Sequence, residues 1–270
     1  MNKNAIGVFD SGLGGLSAVK QMLKAMPNEN IIYFGDTGRV PYGNRSKDTI
    51  RRYAMQDANF LLKNNVKMVV AACGTVSSVA PYLETLLGVP YTGVVLPTCF
   101  TALRESKNGK VGVIGTTATI NSHSYKTRIE QKNPEFQVFE QDCPLFVPLV
   151  ENGFIDRNDM VVKLVVEKYM SGLKNAGVDT VILGCTHYPI LKEAIGDFMG
   201  ENVTLIDSGK ETALYTKKVL EEKGLVNTDN CEKSAQFFVS DTPDNFEKIA
   251  TLFLSKDMNN CAKRINIEEY

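Results

Sequence analysis

Short apolar runs rich in β-branched residues recur along this chain, separated by longer stretches in which apolar positions return every three or four residues. The short runs predict strands at 5–9, 30–34, 66–71, 91–95, 110–114, 136–139, 179–183, 203–206 and 236–239. The longer stretches predict helices at 16–26, 46–64, 76–87, 121–131, 159–175, 191–199, 210–223 and 245–254. Strands and helices alternate, as βαβ units require. Few of the strands alternate between apolar and polar positions, so both of their faces are expected to be covered, which points to mainly parallel sheets.

Two strand-plus-polar-end units occur twice. Ile6-Gly7-Val8-Phe9-Asp10-Ser11 is echoed by Val111-Gly112-Val113-Ile114-Gly115-Thr116, and Met68-Val69-Val70-Ala71-Ala72-Cys73-Gly74-Thr75 by Thr180-Val181-Ile182-Leu183-Gly184-Cys185-Thr186-His187. The repeat implies two α/β halves of like topology. Open α/β sheets bind ligands beyond the carboxyl ends of their strands. All four units carry their polar residues there: Asp10 and Ser11; Cys73, Gly74 and Thr75; Thr116 and, nearby, Thr119; Cys185, Thr186 and His187. If the halves face one another, each contributes one cysteine to a shared cleft.

Composition narrows the chemistry. The chain has 270 residues, 43 % hydrophobic and 23 % charged, and a formal net charge of −1. A chain of this length hides roughly 70–75 % of its extended surface on folding. Balanced charge gives no footprint for nucleic acid and no reason to expect an anionic membrane as partner. No apolar stretch reaches the length of a membrane span, and the first residues do not read as an export signal, so a cytoplasmic protein is expected. The six cysteines contain no C-x-x-C pair, and there are only two histidines, so neither a disulfide framework nor a metal site is expected.

The turn Asp10-Ser11-Gly12-Leu13-Gly14-Gly15-Leu16-Ser17 lets backbone approach a ligand at a helix start. It fails both the dinucleotide fingerprint and the phosphate-loop motif. Asp36, ending the second predicted strand, keeps a nucleotide reading open, whereas Asp10 would oppose a pyrophosphate there. Cys99, Cys143, Cys231 and Cys261 read as small buried hydrophobes. Cys73 and Cys185 differ because hydrogen-bonding residues follow each of them directly. Cys185 beside His187 fits nucleophilic catalysis. A matched pair fits another chemistry: one thiolate removes a proton from a carbon while a thiol on the opposite face returns one, inverting the centre. An unperturbed thiol titrates near about 8.5, so both protonation states are reachable. Ser11, Thr75, Thr116, Thr119 and Thr186 are the hydroxyls at hand to stabilise developing charge. Tyr42, in the turn Pro41-Tyr42-Gly43, can pin a ring over a cleft; His123 reads as a partly solvated helix-start residue.

These motifs, with Tyr33-Phe34-Gly35-Asp36-Thr37, Val40-Pro41-Tyr42-Gly43, Pro148-Leu149-Val150-Glu151 and Leu183-Gly184-Cys185-Thr186-His187-Tyr188-Pro189, resemble the glutamate racemases, cofactor-independent amino-acid racemases, over nearly the whole chain. The resemblance implies that Cys73 and Cys185 are the catalytic acid/bases, with Asp10, Glu151 and His187 tuning or relaying their protons. It implies that substrate is held by Ser11, Tyr42, Gly43, Gly74, Thr75, Thr116, Thr119 and Thr186, together with Asp10 and His187. The implied fold is α/β: two pseudo-symmetric domains with mainly parallel sheets and the active site in the cleft between them. Residues 1–96 plus 208–270 form the first domain, and residues 97–207 are inserted as the second. It further implies glutamate as substrate, D-glutamate for peptidoglycan, no cofactor, and a homodimer. One departure stands out, because the family usually has Asn where this chain has Gly74. Weaker or rearranged binding is expected, with water in the vacated space. A racemase of aspartate or another small amino acid, and a binding module that closes on a ligand without chemistry, are the alternatives.

Overall fold

The computed structural model describes residues 3–228, 234–254 and 257–270 of the chain. In the first half run β1 (Ile6–Asp10), α1 (Leu16–Ala25), β2 (Ile31–Gly35), α2 (Lys47–Lys63), β3 (Met68–Ala71), α3 (Gly74–Val79), α4 (Leu83–Leu86) and β4 (Tyr91–Gly93). Helix α5 (Val95–Glu105) carries the chain into a second unit: β5 (Lys110–Gly115), α6 (Thr117–Ser122), α7 (Ser124–Lys132), β6 (Gln137–Asp142), α8 (Phe146–Glu151), α9 (Met160–Ala176), β7 (Thr180–Leu183), α10 (Lys192–Met199) and β8 (Thr204–Asp207). Helix α11 (Ser208–Glu222) brings it back to β9 (Ala235–Val239), α12 (Pro243–Leu254) and β10 (Ala262–Arg264).

Two sheets result, ordered β10-β9-β2-β1-β3-β4 and β6-β5-β7-β8, with every pairing parallel. The run β2-β1-β3-β4 has the same order as β6-β5-β7-β8, so the repeat seen in the sequence is a repeat of topology. Every residue of β1, β2, β3 and β7 is buried, as strands covered on both faces must be. One apolar core fills the face of the first sheet under α1, α11 and α12 and continues to α8, α9 and α10 of the second unit. The opposite faces have cores of their own, around Phe9, Phe34 and Phe60 in one half and Val111, Val113 and Ile129 in the other. The two crossover helices are tied together by Thr101 Oγ1 donating to Glu211 Oε2 at 2.7 Å.

Several predicted elements needed correction. The helix predicted at 76–87 is two short helices, because Pro81 has no N–H to give and its ring clashes with the preceding turn. The helix predicted at 121–131 is likewise two, α6 and α7, joined at His123 with φ 52° in the left-handed region. Helices α5 and α8 were not predicted, and each carries a proline, Pro97 and Pro148. Each proline sits in its helix's first turn, where a missing N–H removes no intrahelical bond. Strand β10, too short to show a period, was also missed.

Candidate active site

The site grows from the strand ends that the repeat marked. Beyond β1 stand Ser11 and Gly12, beyond β3 Cys73, Gly74 and Thr75, beyond β5 Thr116 and Thr117, and beyond β7 Cys185, Thr186 and His187. All of them line one cavity of about 300 Å³ between the two sheets. The loop after β2 adds Tyr42 and Gly43, and α8 adds Glu151. Cys73 and Cys185 therefore reach the same space from different halves of the molecule.

The two thiols have different surroundings. Cys73 Sγ donates to Ser11 Oγ at 3.5 Å. Burial, followed by the charge of Asp10, pushes its thiol up to about 12, against the opposing bonds from Ser11 and the Val76 N–H. Asp10 lies just behind the lining, its Oδ1 accepting from the Gly12 N–H at 2.9 Å and its Oδ2 from Thr186 Oγ1 at 3.5 Å. Burial raises its carboxyl above the usual range, opposed by the charge on His187 and by these bonds.

On the other side, Cys185 Sγ stands 3.9 Å from His187 Nδ1, while His187 Nε2 meets Glu151 Oε1 at 3.1 Å. Burial alone would depress the imidazole, but its bonds to Cys185 and Glu151, and their charges, lift it to about 10. His187 is thus an imidazolium at neutral pH, wedged between a sulfur and a carboxylate. A cation in that place stabilises negative charge on Cys185.

The hydroxyls form a chain: Thr75 Oγ1 and Thr116 Oγ1 are 2.9 Å apart, and Thr116 Oγ1 and Thr119 Oγ1 are 3.0 Å apart. Thr116 also caps α6 by accepting from the Thr119 N–H at 3.3 Å. Thr119 is buried behind Thr116 and does not line the cavity, so it orients a hydroxyl rather than presenting one. Asp36, the acid that kept the nucleotide reading open, is fully buried and bonded to Arg39, Tyr42 and Ser240, which removes it as a ribose ligand.

Glycines set how closely the halves approach. A Cβ at Gly14 would lie 2.1 Å from Thr186 Oγ1, and one at Gly43 would lie 2.8 Å from Thr116 Cβ. At Gly74 it would lie 2.1 Å from the Gly184 carbonyl oxygen, a backbone atom of the turn that carries Cys185. The expectation of a water-filled vacancy beside Gly74 is thereby overturned at the Cβ position. The place of the missing side chain is taken by the partner turn's own carbonyl, so the two cysteine turns are in backbone contact.

Cys143 is buried, as read, yet it also lines the cavity with Pro144, Val147 and Pro148, and Tyr188 Oη donates to its carbonyl at 2.9 Å. This apolar wall and Asn44 were missed, although the rule that located the cysteines, the carboxyl end of a strand, applies equally to β6 and β2. Cys99 packs into the core of the second sheet, whereas Cys261 is exposed, contrary to its reading as a buried hydrophobe. Cys231 lies outside the described residues. His123 is exposed as expected, its Nδ1 2.6 Å from Glu140 Oε2. Among the described residues no group of His, Cys, Asp and Glu could hold a metal ion, and no helix is long and apolar enough to cross a membrane.

Two parallel α/β units meeting at a cavity with a thiol from each define an amino-acid racemase-like architecture, and comparison with known proteins identifies its kind. Residues 6–216 match the model of the Asp/Glu/hydantoin racemase family. The glutamate racemase of Geobacter metallireducens is 45 % identical over 93 % of this chain and 92 % of its own length. The crystal structure of glutamate racemase from Francisella tularensis, in complex with D-glutamate, superposes with a TM-score of 0.92 at 37 % identity, covering 100 % of both chains. That of the Thermus thermophilus glutamate racemase, in complex with β-chloro-D-alanine, gives 0.89 at 40 % identity over 99 % of each. The chain belongs to the Asp/Glu/hydantoin racemase family, among its glutamate racemases.

Proposed function

We propose that this protein interconverts L- and D-glutamate by proton transfer at the α-carbon between Cys73 and Cys185. The observation that carries the reading is the pair of thiols reaching one cavity from separate halves, one near Asp10 and the other beside His187. In the direction that begins at Cys185, its thiolate takes the α-proton and the bonding pair spreads into the substrate carboxylate. Cys73 then delivers its S–H proton to the other face of the planar carbon. One proton leaves and one arrives, so the step balances without an electron or group acceptor. The opposite direction starts from the protonation states this leaves behind, a Cys73 thiolate and a Cys185 thiol.

An α-proton is far less acidic than a thiol, so most of the barrier must be lowered by stabilising the charge that develops on the carboxylate. Ser11, Thr75, Thr116 and Thr186 are the hydroxyls placed to donate, with Thr119 holding Thr116. His187 and Glu151 serve Cys185, and Asp10 is the buried carboxylate next to Cys73 and Thr186. Incubation with L-glutamate in D₂O is expected to give D-glutamate deuterated at the α-carbon. Cys73→Ala and Cys185→Ala should each lose racemisation; full activity in either variant refutes the two-thiol route.

Wider readings rest on the same assignment. The product would supply D-glutamate to peptidoglycan, and the need for two reduced thiols fits a cytoplasmic protein. The division of the chain at 96/97 and 207/208 is supported by the return of the strands after α11 to the first sheet, although the first cut falls within α5. A homodimer is supported by Met160, Val161 and Leu164, exposed apolar residues at the start of α9.

A further inference from the structure

Behind the Tyr42 ring lies a buried ionic cluster that the proton transfer does not use. Asp36, just past β2, and Asp57, on α2, have fully buried side chains, and Arg39 bridges them with only 11 % of its own side chain exposed. Arg39 Nε donates to Asp36 Oδ2 at 2.6 Å and Nη2 to Asp57 Oδ1 at 3.1 Å. Its Nη1 donates to Gln56 Oε1 at 2.5 Å and reaches Glu268 Oε1, on a side chain 67 % exposed, at 3.2 Å. The guanidinium also lies over the Tyr53 ring, 4.0 Å from its centroid.

Counting hydrogens settles how the cluster is wired. A phenol has one hydrogen to donate. The Tyr42 hydroxyl makes its tighter contact with Asp36 Oδ2. Asp36 thus accepts from Tyr42, from Arg39 and, at 2.7 Å, from Ser240 Oγ. Three converging donors suit an ionised carboxylate. Asp57 Oδ2 stands 3.0 Å from the same Tyr42 oxygen, whose hydrogen is already committed. Two oxygens at that distance with no hydrogen between them repel each other, whereas a proton on Asp57 makes the contact a bond. Charge counting agrees, since one guanidinium faces two carboxylates sealed from water.

We propose that Asp57 is held protonated and donates to Tyr42, which donates to ionised Asp36, and that this chain, counterbalanced by Arg39, makes Asp57 a positioning residue for the substrate wall formed by residues 40–44. In the folded protein, burial and then the Asp36 charge push the Asp57 carboxyl well above the ordinary carboxylate range, Asp10 adding to the effect while Arg39 and Tyr42 oppose it. Tyr42 lines the cavity, and its neighbour Gly43 packs against Thr116, so a displaced ring would move the wall against which substrate sits. No atom of Asp57 lines the cavity. The effect on substrate binding, though not the protonation of Asp57, rests on the racemase reading.

The test compares Asp57→Asn with Asp57→Ala. An amide mimics the neutral acid, donating to Tyr42 and accepting from Arg39, so Asp57→Asn should keep KM for L-glutamate within about twofold of the parent. Asp57→Ala removes the bond to the Tyr42 oxygen and the one from Arg39 Nη2, leaving a gap behind the ring, and should raise KM about tenfold or more, with kcat within about threefold because neither thiol is touched. The difference infrared spectrum between the parent and Asp57→Asn at neutral pH should show one protonated-carboxyl band belonging to the parent; Asp10, common to both, cancels. Impairment of Asp57→Asn to the level of Asp57→Ala, or absence of that band, overturns the proposal. Should Asp57→Ala fail to fold, the KM of Asp57→Asn and the infrared band still decide. Should the parent leave glutamate unchanged, the racemase reading fails, while the band still reports on Asp57.

Discussion

His187 shows how much one side chain's environment decides. Its imidazole is raised from an ordinary 6.5 to about 10 by the bonds and charges of Cys185 and Glu151, against the effect of burial. The charge on His187 therefore stabilises the folded state fully below pH 6.5, and that contribution is lost as pH rises through about 10. The melting temperature is expected to fall between pH 8 and 10.5 more steeply in the parent than in His187→Gln, which has no proton to lose there. Parallel slopes in the two proteins, measured by calorimetry across that interval, would contradict the assignment of an imidazolium. Racemase activity should decline over the same alkaline range, because neutral His187 no longer stabilises charge on Cys185. The two sulfurs themselves were legible in the sequence, since both sit in repeated strand-end units. The tuning groups Asp10, Glu151 and His187 were named through the resemblance, but the distances at which they stand from the thiols were not legible, because Asp10 and Glu151 arrive from distant parts of the chain.

At the level of elements, the contact that matters is between the turn after β3 and the turn after β7. Gly74 and the Gly184 carbonyl touch there, and a Cβ at 2.1 Å from a backbone oxygen cannot be absorbed by a rotamer change. Overpacking of this kind costs about 1–3 kcal/mol, which corresponds to about five- to 160-fold in rate where it disturbs the reacting geometry. Gly74→Ala is accordingly expected to lower kcat for glutamate by at least about fivefold, with Gly74→Asn no better. A gain in activity for Gly74→Asn would show instead that an amide is missing from this site, as the sequence comparison alone suggested. Strands β1, β3, β5 and β7 were readable because a buried parallel strand needs an unbroken apolar run. Helices α5 and α8 were not, because a proline in a first turn looks in sequence like one that ends a helix. Glu151 was found through a motif, while the helix that holds it went unpredicted.

Across the whole molecule, the chain must leave the first sheet after β4 and return to it at β9. The return is secured by a buried ion pair: Lys67 Nζ lies 2.5 Å from Glu29 Oε2, with both side chains almost fully sealed from solvent. Lys67 Nζ also donates to the Leu225 carbonyl at 2.7 Å, and Glu29 Oε1 accepts from the Asn227 N–H at 2.8 Å, so the segment after α11 is held by both partners. Removing one charge of such a pair leaves the other buried and unmatched, at a cost of about 3–5 kcal/mol. Lys67→Met should lose that much in urea denaturation, and adding Glu29→Gln should recover a substantial part of it. Equal stability of the single and double variants would mean that the pair does not hold the return.

The sequence by itself determined strands β1 to β9, the doubled α/β topology, the family and the two thiols, because apolar periodicity and strand-end chemistry are local properties of the chain. Tertiary structure alone decided which residues share the cavity, that Thr119 stands behind Thr116, that Cys143 joins the lining, and that the Gly184 carbonyl stands where a Cβ at Gly74 would go. It also decided which of two buried aspartates has room for a proton. Proton positions and close contacts depend on distances between segments far apart in the chain, and those distances exist only once the two sheets have packed.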